Sequence, residues 1–162
     1  MTAFVVDANA AVVASGRTPQ ADLGCVEACV NALAGITQTG MVVLDDEGLI
    51  LSEYMDNLSI SGQPGVGDAF MKWLWENQAV TARCEQVHLA HRDDDRDAFA
   101  AFPSDPRLGS FHRDDRKYVA AALTSQHSPT VLNAVDTDWW THRAALSDNG
   151  ISLRFLCPQH MR

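Results

Sequence analysis

Two acidic pairs stand in the second half of this 162-residue chain, Asp114–Asp115 and Asp136–Thr137–Asp138, and a further carboxylate, Asp7, stands near its beginning. Carboxylates that converge repel one another and are tolerated mainly where a cation neutralises them. Oxygen-only ligands favour a hard ion, Mg2+ or Mn2+, and such sites usually handle phosphoryl groups. In that chemistry the metal activates water, orients the phosphate and stabilises the leaving oxygen. For any one of these aspartates there is a plainer reading, in which it caps a helix or makes a turn after a strand. Taken jointly, the pattern favours a shared site.

The elements that must position these groups are legible around them. Ala3–Phe4–Val5–Val6 is an apolar run of strand character that Asp7 ends, with Asn9 two residues on. TVLNAV, introduced by Ser128–Pro129, is a second buried strand, and Asp136 ends it. Thr137–Asp138 reads as the cap of a helix containing WWTHRAAL and closed by Asn149–Gly150. Carboxylates beyond the carboxyl ends of strands lie where open α/β sheets place their sites. RKYVAAAL reads as a helix, with Tyr118, Val119, Ala122 and Leu123 on one face. Asp115 begins that stripe, whereas Asp114 comes one residue too early and reads as the helix cap.

In the rest of the chain AAVVAS is a helix ending near Gly16, and Asp22 is a candidate cap. CVEACVNALAGI is an amphipathic helix with Cys25, Cys29 and Leu33 on one face. The two cysteines read as small buried apolar residues, not as ligands or half of a bridge. Met41–Leu51 is either a strand running into a turn or a hairpin, and Ser52–Glu53–Tyr54 opens a helix through Leu58. Ser59–Gly67 is a loop, and Asp68 caps the helix AFMKWLWENQ. CEQVHLA is a strand. The charge run Asp93–Asp94–Asp95–Arg96–Asp97 reads as a solvated helix start or loop in the least regular part of the chain. ISLRFLCP supplies a last strand. This order implies an α/β fold around a mostly parallel sheet, as one domain over residues 1–162.

Composition removes several classes. Hydrophobic residues make up 46% and charged residues 20%, which is ordinary globular composition. No run approaches the roughly 18 apolar residues of a membrane span. With no basic stretch before an apolar one, no signal peptide is expected, and the cytoplasm is the expected location. The net charge of −9 argues against gripping nucleic acid by bulk charge, although bound cations invert the local charge at a site. There is no GxGxxG, no GxxxxGK[ST] and no GxSxG, which removes the dinucleotide, P-loop and serine-hydrolase readings. His88 and His91 form an HxxH, but on a strand they face opposite ways, so zinc is not expected there.

FVVDAN at the start, SEYMDNL, FPSDPRLGSFHRDDRKYVAAAL and NAVDTDWW before the last apolar strand together resemble a PIN domain, over nearly the whole chain. DDRKYVAAAL and VDTDWW carry the resemblance most specifically. It implies a three-layer α/β/α fold with a central mostly parallel sheet, and a ribonuclease dependent on Mg2+ or Mn2+ that leaves 5′-phosphate and 3′-hydroxyl ends. It maps the acidic cluster onto Asp7, Glu53, Asp115 and Asp136, with Asp138 as a fifth metal ligand. Glu53 is taken over Glu27 because it follows a strand. Asn9, Arg113, Arg116 and Lys117 are the expected substrate-binding residues, and Arg143 also flanks the acids. Many PIN domains are toxins of toxin–antitoxin pairs. The partners on this reading are an RNA substrate, an antitoxin protein and a second copy of the chain. The competing class is the same fold acting as a non-catalytic module for RNA or protein, and a small-molecule phosphatase is a third reading.

Overall fold

The computed structural model of the protein describes residues 1–161. Five strands form one parallel sheet: β1 (Ala3–Val6), β2 (Met41–Asp45), β3 (Cys84–Val87), β6 (Thr130–Asn133) and β7 (Ser152–Phe155). Their order across the sheet is β3-β2-β1-β6-β7. The central strands are nearly continuous apolar runs, because helices cover both faces and neither side of such a strand meets water. All five residues of β2 are buried, while the edge strand β7 alternates exposed and half-buried positions. The mostly parallel α/β/α architecture expected from the sequence is what the chain adopts.

Seven α-helices among the described residues complete the layers: α1 (Ala8–Ala14), α2 (Leu23–Thr39), α3 (Leu49–Asn57), α4 (Val66–Asn77), α5 (Arg116–Thr124), α6 (Thr137–Thr141) and α7 (Arg143–Asp148). α1, α2 and α4 pack together, and α5 packs against β1, β2 and β6. The α1–α4 contact is close enough to require glycine: a Cβ on Gly67 would stand 1.9 Å from the carbonyl oxygen of Ala11. In α2 the i, i+4, i+8 residues Cys25, Cys29 and Leu33 are buried together.

Chain order and sheet order meet at one place. From β1 the chain builds outward through β2 to β3, then returns to pair β6 with the other side of β1. Adjacent strands whose connections leave in opposite directions open a crevice at their carboxyl ends. Asp7 follows β1, and Asp136 follows β6 after a short turn.

Several local expectations need correction. The Asp93–Asp97 run is neither a helix start nor a loop: β4 (His91–Arg92) and β5 (Asp95–Phe99) form an antiparallel hairpin. Asp93 and Asp94 turn it with φ of 57° and 56°. A two-residue hairpin turn of this hand needs positive φ at both positions, and aspartate is among the few residues that tolerate it. Of the two readings left open for Met41–Leu51, the strand into a turn is the one adopted. Asp45 ends the strand and accepts the backbone N–H groups of Leu49 and Ile50 at 2.9 Å each, so α3 begins three residues earlier than expected. Glu53 therefore lies inside a helix, not just after a strand.

Asp68 sits at the third position of α4, where its carboxylate accepts the N–H of Gly65, instead of preceding the helix as its cap. Asp114 caps nothing with its side chain; the His112 ring accepts the Asp114 N–H and starts a 3-10 turn over Arg113–Asp115. The expected single helix after Asp136 is two, α6 and α7, separated at His142, whose ring nitrogen Nδ1 lies 2.9 Å from the carbonyl oxygen of Asp138. Cys25 is half of a bridge after all, joined to Cys157 across 132 residues of sequence, with Cys29 and Cys84 free and buried. Disulfides persist in oxidising surroundings, so this bridge weighs against the cytoplasmic expectation. No helix among the described residues is long and apolar enough to cross a membrane.

Candidate metal centre

Asp7 is both a helix cap and a site residue. Its Oδ1 accepts the N–H of Asn9 at 3.0 Å, which starts α1, and its Oδ2 accepts the indole N–H of Trp139 at 2.9 Å. Asp136 caps α6 in the same way, accepting the N–H of Asp138 at 3.0 Å. Asp115 closes the 3-10 turn before α5 and makes no cap bond. The three residues come from three different connections, yet each offers an oxygen within 4.8 Å of the other two. Asp7 and Asp115 are 4% and 9% exposed, so water does little to relieve their mutual repulsion.

The electrostatic consequence is large. Burial, then the charges of Glu53 and Asp136, push the Asp7 carboxyl up to about 7, against the opposing bonds from Asn9 and Trp139. Burial, then Asp7 and Asp136, push Asp115 up to about 9. Among the described residues no N–H donor reaches the Asp115 carboxylate, and its neighbours in the cluster are other carboxylates, Asp7 and Asp136. Carboxylates gathered this closely out of water are relieved by protonation or by a cation. Asp45 at the tip of β2 is the contrasting case, because both of its oxygens are filled by the α3 backbone.

Glu53 stands at the margin of the cluster. It lines an open cleft with Asp7, Asn9, Asn57 and Asp136, and its charge acts on Asp7 and Asp115. Its Oε1 pairs with the Lys117 ammonium at 3.0 Å, and its Oε2 accepts the Tyr118 hydroxyl. The Tyr118 oxygen also accepts the N–H of Ala8 at 3.2 Å, and the Tyr54 hydroxyl donates to the carbonyl of Val6 at 2.6 Å. Burial first, and then the neighbouring Asp7 and Glu53 charges, hold both phenols protonated well above their usual range.

The remaining candidates lie around this centre without joining the oxygen cluster. The Asp138 carboxylate accepts the N–H of His112 at 2.8 Å and lies 3.1 Å from the His142 ring. Asn9 ties β1 to β6: its amide donates to Asn133 at 2.6 Å and its oxygen accepts the N–H of Ala134 at 2.9 Å. Arg113 pairs with Asp95 of the hairpin at 2.6 Å. Arg116 donates to the carbonyls of Phe111 and Gly109 and lies 4.7 Å over the Phe102 ring. Arg143 lies 4.0 Å over the Trp140 ring. The hairpin extends the surface of the site, since Arg96, Asp97 and Phe99 line a second cleft with Glu53, Asp114 and Lys117.

Trp139, Tyr118 and Asn133 orient the acids although no sequence motif marks them for that role. Trp139 stands three residues after Asp136, in the first turn of the helix that Asp136 caps, which was the one local signal for it. Tyr118, on the buried stripe of α5, carries only the sequence pattern of a packing residue. The Lys117–Glu53 pair spans 64 residues and left no signal. Comparison of the chain with protein-family models, with curated proteins and with solved structures gives no match in any of the three.

Proposed function

We propose that the protein is a divalent-metal-dependent endoribonuclease of PIN type. The observation that carries the reading is the meeting of Asp7, Asp115 and Asp136 oxygens within 4.8 Å, largely out of water, at the switch point of a parallel sheet. The donor set fits a hard cation. It is all oxygen, it carries up to three negative charges, and among the described residues no N–H donor compensates Asp115. Asp7, Asp115 and Asp136 would hold the ion, with Glu53 beside them. A bound Mg2+ or Mn2+ would lower the pKa of water and neutralise charge on a scissile phosphate.

The chain's own residues do the rest. The Trp139 indole and the Asn9 backbone N–H fix the direction of both Asp7 oxygens, and the side-chain Asn9–Asn133 tie holds the β1 and β6 tips at one spacing. Such contacts keep ligands in place, and their loss commonly weakens metal binding 10–100-fold. RNA as the substrate, and a toxin role with an antitoxin partner, rest on the family resemblance. A small DNA-binding reading frame beside the coding sequence would support the toxin role.

The test is incubation of end-labelled single-stranded RNA with the full chain in Mn2+, in Mg2+ and in EDTA. Internal cleavage leaving 5′-phosphate ends in the metal lanes alone is the expected result. Cleavage that persists in EDTA, or turnover of phosphomonoesters with RNA left intact, would overturn the assignment.

A further inference from the structure

We infer that Lys117 stands where a second cation would otherwise sit, so that the site takes one divalent ion per chain. The inference rests on the metal-centre reading above and specifies what that centre holds.

Five carboxylates surround the site, and their oxygens divide into two kinds. Those of Asp7, Asp115 and Asp136 converge; Asp7 and Asp136 also accept N–H groups, but among the described residues no cation faces them, and Asp115 meets no N–H donor. Those of Glu53 and Asp138 are already engaged. Glu53 takes the Lys117 ammonium on one oxygen and the Tyr118 hydroxyl on the other. Asp138 takes the His112 N–H on one oxygen and faces the His142 ring with the other. A second ion beside the first would draw on this engaged pair, since no further described carboxylate joins the three whose oxygens meet.

Lys117 is built into that position. Its side chain is only 12% exposed, and its ammonium donates both to Glu53 and to the backbone carbonyl of Asp114. It also lies 5.0 Å from the Tyr118 ring centroid, within cation–π range. An ion arriving beside Glu53 must displace an ammonium held by these contacts, and then leaves that cation partly buried without a carboxylate partner. The ammonium already supplies positive charge to Glu53, whose own charge acts on Asp7, at lower charge than a divalent ion.

The experiment counts Mn2+ ions on the metal-free full chain by titration calorimetry and native mass spectrometry, with no RNA present. Wild type is expected to bind one ion, and Asp115→Asn none. Lys117→Met removes the ammonium, keeps much of the packed stem, and should bind two. Lys117→Arg restores a cation and should return to one. Two ions on wild type, or one on Lys117→Met, would overturn this inference and leave the nuclease reading standing. Failure of wild type to bind any ion would overturn both.

Discussion

Trp139 donates its indole N–H to Asp7 across 2.9 Å, although 132 residues separate them in sequence. The ring is fully buried and meets Phe111 edge-on, with centroids 5.0 Å apart. One side chain thereby joins the core to the site.

Trp139→Phe should show both roles. It removes the donor to a buried carboxylate oxygen and leaves a void, and together these should cost about 2 kcal/mol or more. Urea unfolding of the metal-free protein measures the loss. A change under about 0.5 kcal/mol would mean that the indole contact adds nothing to the fold.

The raised carboxyls set the pH dependence. Asp7 at about 7 and Asp115 at about 9 lie above their unfolded value of 3.8, so the native state binds more protons than the unfolded chain between these limits. Their contribution to stability is full below the unfolded pKa and is lost as pH rises through about 7 and then about 9. The melting midpoint of metal-free protein should therefore fall from pH 6 to pH 9. Mn2+ at 100 times its Kd should add about 2.7 kcal/mol and flatten the slope, because the ion replaces the protons. A midpoint indifferent to millimolar Mn2+ at pH 8 would count against a preformed site.

Adjacent aspartates should behave oppositely. Asp115→Asn should abolish RNA cleavage, yet raise metal-free stability by roughly 0.5–2 kcal/mol, since it relieves buried repulsion. Asp114→Asn should leave cleavage near wild type, because that carboxylate is exposed and lies outside the oxygen cluster. Single-turnover cleavage in Mn2+ paired with thermal melts separates the two. A dead Asp114→Asn beside an active Asp115→Asn would assign the metal to the wrong carboxylate.

The Cys25–Cys157 bridge should be visible in solution. Thiol titration of the unfolded, unreduced chain should find two free cysteines, Cys29 and Cys84. Reduction should lower stability by about 2–4 kcal/mol through the freed loop. Four free thiols before reduction would show that the bridge does not form.

Local patterning determined most of the elements and the placement of three acids. Apolar runs mark β1 and β6 because both faces of a central parallel strand are covered, and that requirement is written residue by residue. The helical stripe likewise separated Asp115 from Asp114, because a turn of 3.6 residues fixes which of two neighbours faces inward. Whether an aspartate caps a helix or belongs to a cluster was not local. Asp7 and Asp136 do both, while Asp45, in an equivalent setting, only caps.

Tertiary structure decided what depends on distant partners. The pairing of β1 with both β2 and β6 creates the crevice in which Asp7 and Asp136 meet, and no window of sequence contains both. The same holds for the Cys25–Cys157 bridge, the turn of Asp138 toward His112 and His142, and the Lys117–Glu53 pair. The Asp93–Asp94 turn is intermediate. Its residues permit positive φ, but the antiparallel pairing of β4 with β5 selects that conformation over the solvated loop that the charges suggested. Sequence specifies which groups are carried on which elements. The coordinates of a shared site come from how those elements pack, because electrostatic and hydrogen-bonding partners are chosen by distance in space and not along the chain.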